Sequence, residues 1–267
     1  MLTVIKIGGG RGIDRAAAVA DIAECVARGE QIVVAHGCSA AADALAAELG
    51  EPVRYVTSAA GVRSRYTDAR MLEIFLMAAL RVNADLVRAL QGQGVNALGL
   101  SGLDGGLLRG PRKEALRIVE DGRQRVIRDD FTGRVERVNT PLLRLLLAQG
   151  YTPVIAPLAL ADTGEAVNVD GDRAAAMVAA ALEADVLVIL SNVPGLLADA
   201  HDERTLVTSL NSLEMKPYEM QVTGGMRRKL IGAREALQAG VRRVVLADGR
   251  AEHPVQAALA GKGTVIV

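Results

Sequence analysis

The chain opens on a strand that runs directly into glycine: Leu2-Thr3-Val4-Ile5-Lys6-Ile7 is followed by Gly8-Gly9-Gly10. A short β-branched apolar run reads as a buried strand, and three successive glycines permit a tight turn that presents bare backbone N–H groups. Such a turn is a nest for anionic oxygens. Lys6 is the odd residue of the strand, because an ammonium is costly to bury unless it meets a negative partner. Either it points at an anion held by the glycines, or it snorkels from an edge strand.

The same strand, turn and helix pattern then repeats. Asp14 caps a helix whose apolar positions recur at helical spacing up to Val26, with Gly29 as the stop. Residues 32–35 read as a strand that runs into His36-Gly37-Cys38-Ser39 and an alanine-rich helix ending near Gly50. A small-residue turn at a helix N-terminus favours an anion, and two such turns at parallel strand ends face one crevice. His36 reads as a buried histidine satisfied by backbone in preference to a proton carrier. Residues 53–56 form a short strand. Arg65 precedes a long helix over about 69–90 and either forks onto a substrate carboxylate or is solvated. Met71, Ile74, Phe75 and Met77 suit that helix to packing on a second subunit as well as on its own core.

Gly92-Gln93-Gly94-Val95-Asn96-Ala97 matches the loose dinucleotide pattern, but it follows a helix and opens a strand, the reverse of what that fingerprint needs. No P-loop pattern occurs. From 109 to 128 charged and apolar residues alternate around the turn Glu120-Asp121-Gly122-Arg123, which predicts a protruding β-hairpin. Its basic residues, Arg109, Arg112, Lys113, Arg117, Arg123, Arg125 and Arg128, exceed its acidic ones by 4. Across the whole chain 31 basic residues balance 31 acidic ones, so nothing draws it toward nucleic acid or membrane. The local excess is either a docking face for an acidic partner or a solvated arm with salt bridges across it.

In the second half Asn139 caps a helix through Leu147, and strands follow at 152–157 and 165–168. Asn168-Val169-Asp170-Gly171-Asp172 opens a helix over 173–182, its carboxylates serving as caps or orienting groups across the cleft. A strongly apolar strand at 185–190 ends in Ser191-Asn192-Val193-Pro194-Gly195. Arg227, Arg228 and Lys229 begin a helix that ends at Gly240, where three cations oppose the helix dipole and a bound polyanion would offset them. A core strand at 244–246, a helix at 254–259 and an edge strand at 264–267 complete the chain. This alternation predicts a three-layer αβα sandwich around a mainly parallel sheet. Two cysteines make no disulfide framework or metal cluster, no apolar run reaches membrane length, and the first residues read as a strand in preference to a leader. The expectation is a cytoplasmic protein.

The ordered set Lys6-Ile7-Gly8-Gly9, His36-Gly37, Arg65-Tyr66-Thr67, Asn168-Val169-Asp170-Gly171-Asp172 and Gly225-Met226-Arg227-Arg228-Lys229, with Leu190-Ser191-Asn192-Val193-Pro194-Gly195, resembles the amino acid kinase family over essentially the whole chain. Within it the acetylglutamate kinase branch is the most similar. The resemblance implies the carbamate kinase-like fold, with an acceptor-binding and dimerising lobe at 1–184 and a nucleotide lobe at 185–267. It implies a homodimer that uses ATP with Mg2+, has no metal site of its own, and transfers a phosphoryl group to a carboxylate to give an acyl phosphate. Lys6 and Lys229 would neutralise that group while Asp172 holds both lysines. Gly8, Gly9 and Gly37 would supply N–H donors beside Cys38, Arg65 and Asn168 would bind the acceptor, and Ser191, Asn192, Val193, Gly195 and Met226 would contact nucleotide.

The segment Gly99-Leu100-Ser101-Gly102-Leu103-Asp104-Gly105 and the basic hairpin look closest to branch members whose acceptor rides on a small acidic amino-group carrier protein (LysW-like). The implied reaction is phosphorylation of the terminal carboxylate of carrier-linked 2-aminoadipate in lysine biosynthesis, with Arg109, Arg112, Lys113, Arg117, Arg123 and Arg125 docking the carrier. Acetylglutamate or carrier-linked glutamate in arginine biosynthesis stays open, as does a non-catalytic nucleotide sensor. The family's second turn reads His-Gly-Gly, and here Cys38 replaces the last glycine. A positive φ there would cost a Cβ-bearing residue about 1 kcal/mol, whereas a negative φ would leave the N–H donor intact.

Overall fold

The computed structural model describes every residue except Ala59, Ala60, Val62, Asp121 and Gly122, and of Glu120 only the backbone. Eight α-helices occur among the described residues: α1 Arg15–Ala27, α2 Ser39–Glu48, α3 Ala69–Gly92, α4 Thr140–Ala148, α5 Gly171–Leu182, α6 Met215–Gln221, α7 Gly224–Gln238 and α8 Pro254–Leu259. They cover both faces of an eight-stranded sheet. Its order is Ser209–Leu210, Thr264–Ile266, Arg243–Asp248, Val186–Ser191, β1 (Leu2–Ile7), β2 (Gln31–His36), Thr152–Ala156, Ala97–Ser101. All neighbours are parallel except Arg243–Asp248 with Thr264–Ile266.

β1 lies at the centre of this sheet, with Lys6 opposite Ala35 on one side and Ile189 on the other. Lys6 is therefore not an edge lysine, and the snorkelling alternative falls. The two-residue period of the strand decides where it points. Ile5 and Ile7 pack in the core with residues of α1, α3 and α8, whereas Val4 packs with α4, α5 and α7. Lys6 shares the Val4 face and so meets the N-terminus of α5.

α5 can lie close to the sheet because its inner face is alanine, with Ala174, Ala175, Ala176 and Ala179 all buried. α7 approaches α5 equally closely at Gly232, where a Cβ would stand 3.3 Å from the Asp172 carbonyl oxygen. Lys229 precedes Gly232 by three residues, hence on the same helix face. A single small residue thereby brings α7 to the lysine of the first strand.

The chain departs from the sequence pattern at several places. The short strand expected at 53–56 is Tyr55–Ser58, and it pairs with Arg63–Arg65, a strand too short and polar to show a period. The hairpin expected over 109–128 is confined to Leu116–Glu120 and Arg123–Ile127, which extend that pair into a four-stranded antiparallel sheet. The centre of its turn, Asp121-Gly122, lies outside the described residues. Arg109 belongs to Leu108–Arg109 in a third sheet, paired with Arg137–Val138. Thr264–Ile266 is not an edge, because Ser209–Leu210 pairs outside it. α6 carries Pro217 in its first turn, where its missing N–H costs nothing, so a residue that reads as a breaker sits inside a helix.

Candidate active site

The two glycine turns meet at the C-terminal ends of β1 and β2. A Cβ on Gly9 would lie 2.4 Å from Cys38 N, and one on Gly37 would lie 2.7 Å from Gly9 N, so each turn is glycine because the other is there. The expectation that Gly8 and Gly37 supply donors fails, because their N–H groups already bond Leu190 O at 3.1 Å and Ile7 O at 2.9 Å. The amides of Gly9, Gly10 and Cys38 make no hydrogen bond within the described chain and remain for an anion. Cys38 has φ −139°, so the substituted position is not left-handed, and its side chain is buried in the core behind the turn. His36 is buried and neutral: burial pushes its pKa down to about 4, and its ring lies 3.1 Å from Asn83 Nδ2.

Beneath the turns lies the charged centre. Asp172, in the first turn of α5, is 2.6 Å from Lys6 Nζ through Oδ1 and 3.1 Å from Lys229 Nζ through Oδ2, with Lys6 and Asp172 each 5 % exposed. Burial alone would raise the Asp172 carboxyl, but the charges of Lys229 and Lys6 overcome it and hold the pKa well below the usual carboxylate range. Burial lowers the Lys6 pKa, and Asp172 opposes that shift. Two cations on one carboxylate leave a net positive charge facing the cleft.

The next residues outward are also paired. Asp170 caps α5 by accepting from Asp172 N and Arg173 N, and its other oxygen lies 3.1 Å from Arg228 Nε. Arg228 also donates to Arg63 O at 2.7 Å. Arg228 and Lys229, in the first turns of α7, are therefore offset by the carboxylates at the start of α5, its cap Asp170 and Asp172. Arg65 is buried, not solvated: Nη1 lies 2.7 Å from Asp43 Oδ1, and Nη2 donates to Ser39 O and to the Tyr55 hydroxyl. Asn168 donates to Thr67 Oγ1 at 3.0 Å, and buried Asp130 accepts from Thr67 N and Thr132 N, fixing that wall.

A cleft of about 400 Å³ joins these groups, lined by Lys6, Gly9, Arg65, Asn168, Asp172 and Lys229 among others. Ser191 and Asn192 line it as well, whereas Val193, Gly195 and Met226 do not. Gly195 answers a packing need, since a Cβ there would stand 2.6 Å from Thr264 Oγ1, and Met226 packs on the apolar core. Of the basic set, Lys113 lines the cleft and Arg112 is built into the fold, stacked 3.7 Å over Phe131 and donating to Asp130 O. Arg117, Arg123 and Arg125 are exposed, but the pairing of Arg117 with Val126 and of Ile118 with Arg125 puts Arg117 on the opposite face from the other two. Asp43 and Tyr55 carry no signal in the sequence, whereas Asp170 is the cap that its place before the helix predicts and Arg228 is one of the three cations expected at a helix start.

A parallel sheet with glycine turns at its strand ends and a lysine pair on one aspartate defines a phosphate-handling α/β protein, and residues 1–248 match the model of the amino acid kinase family. The chain belongs to that family. Among its relatives is the [LysW]-aminoadipate kinase of Deinococcus radiodurans, 48% identical over 99% of this chain and 91% of that protein. Another, from Cenarchaeum symbiosum, carries the name putative [LysW]-aminoadipate/[LysW]-glutamate kinase and is 40% identical over 100% of this chain and 99% of its own. Among solved structures, the N-acetylglutamate synthase of Neisseria gonorrhoeae with coenzyme A and N-acetylglutamate superposes with a TM-score of 0.80 at 28% identity, covering 100% of this chain and 59% of that one.

Proposed function

We propose that the chain is an ATP-dependent kinase that phosphorylates the terminal carboxylate of carrier-linked 2-aminoadipate. The observation that carries the reading is the Lys6–Asp172–Lys229 triad on the cleft floor, in a chain 48% identical to a protein named for that activity. Phosphoryl transfer asks a protein to position two reactants and to stabilise charge on the transferring oxygens. Lys6 and Lys229 supply that charge, Asp172 fixes their spacing, and the amides of Gly9, Gly10 and Cys38 take phosphate oxygens. The acceptor carboxylate is ionised at neutral pH, so no general base is needed and neutral His36 is left structural.

Mg2+ binds readily through nucleotide phosphates and one or two carboxylates. Delivered with ATP, the cation would supply positive charge that neutralises the phosphates. Arg65 takes the acceptor's α-carboxylate, with Asn168 beside it. Ser191 and Asn192 face the nucleotide. The exposed arginines of the hairpin dock a small acidic carrier of LysW type, and α3 pairs two copies through a face that includes exposed Met77 and Leu80. Carrier-linked glutamate is the second reading, favoured by the dual name of the Cenarchaeum relative.

Hydroxylamine trapping tests the reading directly. With ATP and Mg2+, carrier-linked aminoadipate is expected to give a hydroxamate at a higher kcat/KM than carrier-linked glutamate or N-acetylglutamate. A preference for N-acetylglutamate would replace the carrier reading with a free-acceptor kinase, and no hydroxamate from any of the three would leave a nucleotide sensor.

A further inference from the structure

The cations that line the cleft are nearly all paired. Lys6 and Lys229 share Asp172, Arg65 meets Asp43, Arg228 meets Asp170, and Arg173 is held by two hydrogen bonds to Glu235. Lys113 is different. It lines the same cleft, and although the carboxylates of Asp130 and Asp170 act on it from a distance, its ammonium makes no hydrogen bond or ion pair among the described residues. Its backbone is nonetheless fixed. Lys113 N donates to Thr132 O at 2.9 Å, and Thr132 bridges to Asn168, so the lysine rises from the wall that carries the acceptor-binding asparagine.

Charge complementarity gives that lysine a task. An acidic amino-acid acceptor brings two carboxylates. One must reach the Lys6–Lys229 pair to react, and the other falls to Arg65. A third cation on the acceptor side has no partner in the acceptor's own skeleton. The remaining position is the substituent on the acceptor's amino group. We infer that Lys113 forms a subsite for a carboxylate carried by that substituent, so that the enzyme selects acceptors whose amino group is capped by an anionic chain over those with a neutral cap. The inference rests on the acyl phosphate reading above and adds to it the residue that distinguishes a linked acceptor from an acetylated one at the amide itself, apart from any docking at the hairpin.

Two small probes separate the possibilities without a carrier: N-succinyl-aminoadipate, whose cap bears a carboxylate, and N-acetyl-aminoadipate, whose cap does not. Binding of each is measured by calorimetry with a non-hydrolysable ATP analogue present, and KM by hydroxamate trapping. The full-length protein is expected to bind the succinyl probe about tenfold more tightly than the acetyl probe. Lys113→Met is expected to bring that ratio close to one by weakening the succinyl probe alone, and Lys113→Arg to restore most of it. Equal affinity of the two probes for the unaltered protein would overturn the inference and leave the kinase reading standing. So would a Lys113→Met effect confined to the KM for ATP, which would place the lysine on the nucleotide. Binding of neither probe, together with no hydroxamate from carrier-linked acceptors, would overturn both.

Discussion

Lys6 Nζ lies 2.6 Å from Asp172 Oδ1 with both side chains almost fully buried, and Lys229 occupies the other oxygen of the same carboxylate. The triad carries one more positive than negative charge, and substitutions change that balance in opposite senses. Lys6→Met leaves one lysine on one aspartate, a neutral pair that still folds. It is expected to lower kcat about 100-fold or more while changing the KM for ATP by less than about threefold, because the charge matters most during transfer. Asp172→Asn leaves two buried ammonium groups without a counter-charge and is expected to cost about 3–5 kcal/mol of stability as well as turnover. Steady-state kinetics and urea unfolding of the two variants read both effects. A Lys6→Met variant that lost only ATP affinity would make Lys6 a ground-state binder.

Gly9 and Gly10 are adjacent in sequence, but only Gly9 is crowded. Its missing Cβ leaves room for Cys38 N at 2.4 Å, whereas a Cβ on Gly10 meets nothing within 4 Å. Gly9→Ala must push the two turns apart and is expected to lower kcat/KM about 100-fold or more, the scale of losing a preorganised N–H donor. Gly10→Ala is expected to stay within about threefold of the parent. Similar losses in both would place the requirement in backbone freedom and not in the meeting of the turns.

Cys38 tests the same cradle from the other side. With φ −139° and a buried side chain, the residue pays no left-handed strain and fills space against the sheet. Restoring glycine should therefore not rescue activity. Cys38→Gly is expected to leave kcat within about twofold and to lower stability by about 1–2 kcal/mol through the cavity left behind. A large gain in turnover would mean that the sulfur obstructs the phosphate.

How much of this was legible in advance depends on the range of the signal. The strand of Lys6, the caps Asp14 and Asn139 and the stop at Gly29 are local patterns, and each stands where its pattern put it. The joining of Lys6 to Lys229 has no local signal at all; it came from family resemblance, and in the fold it depends on Gly232 and on strand alternation. Donor capacity at Gly8 and Gly37 is not legible in the sequence, because a free N–H cannot be told from an engaged one until the strand register is known. Asp43 has no sequence signal for a similar reason. It is an acidic residue in an ordinary helix face until Arg65 folds against it.

His253 and Asp21 join α8 to α1 far from the cleft. Asp21 is fully buried, accepts from Val255 N and Gln256 N, and lies 3.0 Å from His253 Nδ1. The hydrogen bond to Asp21 raises the imidazole above its ordinary 6.5. A raised folded pKa means that the contribution to stability is complete below the unfolded value and is lost as pH rises through the folded one. His253→Ala is therefore expected to lower Tm more at pH 5.5 than at pH 9, read by thermal melts in both buffers. An equal drop at the two pH values would assign His253 a packing role only.

Asp43 stands 2.7 Å from Arg65 Nη1, and the Tyr55 hydroxyl touches both, so the guanidinium proposed for the acceptor is held by the protein before any acceptor arrives. A carboxylate beside that arginine has two opposed consequences: it fixes the orientation of the fork, and it repels a second carboxylate. Asp43 is 39% exposed on its side chain, where solvent screens the repulsion, while Arg65 is 5% exposed and cannot reorient freely. Orientation should win. Asp43→Asn keeps the shape and removes the charge, and it is expected to raise the acceptor KM about tenfold with the KM for ATP unchanged. A fall in acceptor KM would show the reverse balance, in which Asp43 competes with substrate for Arg65.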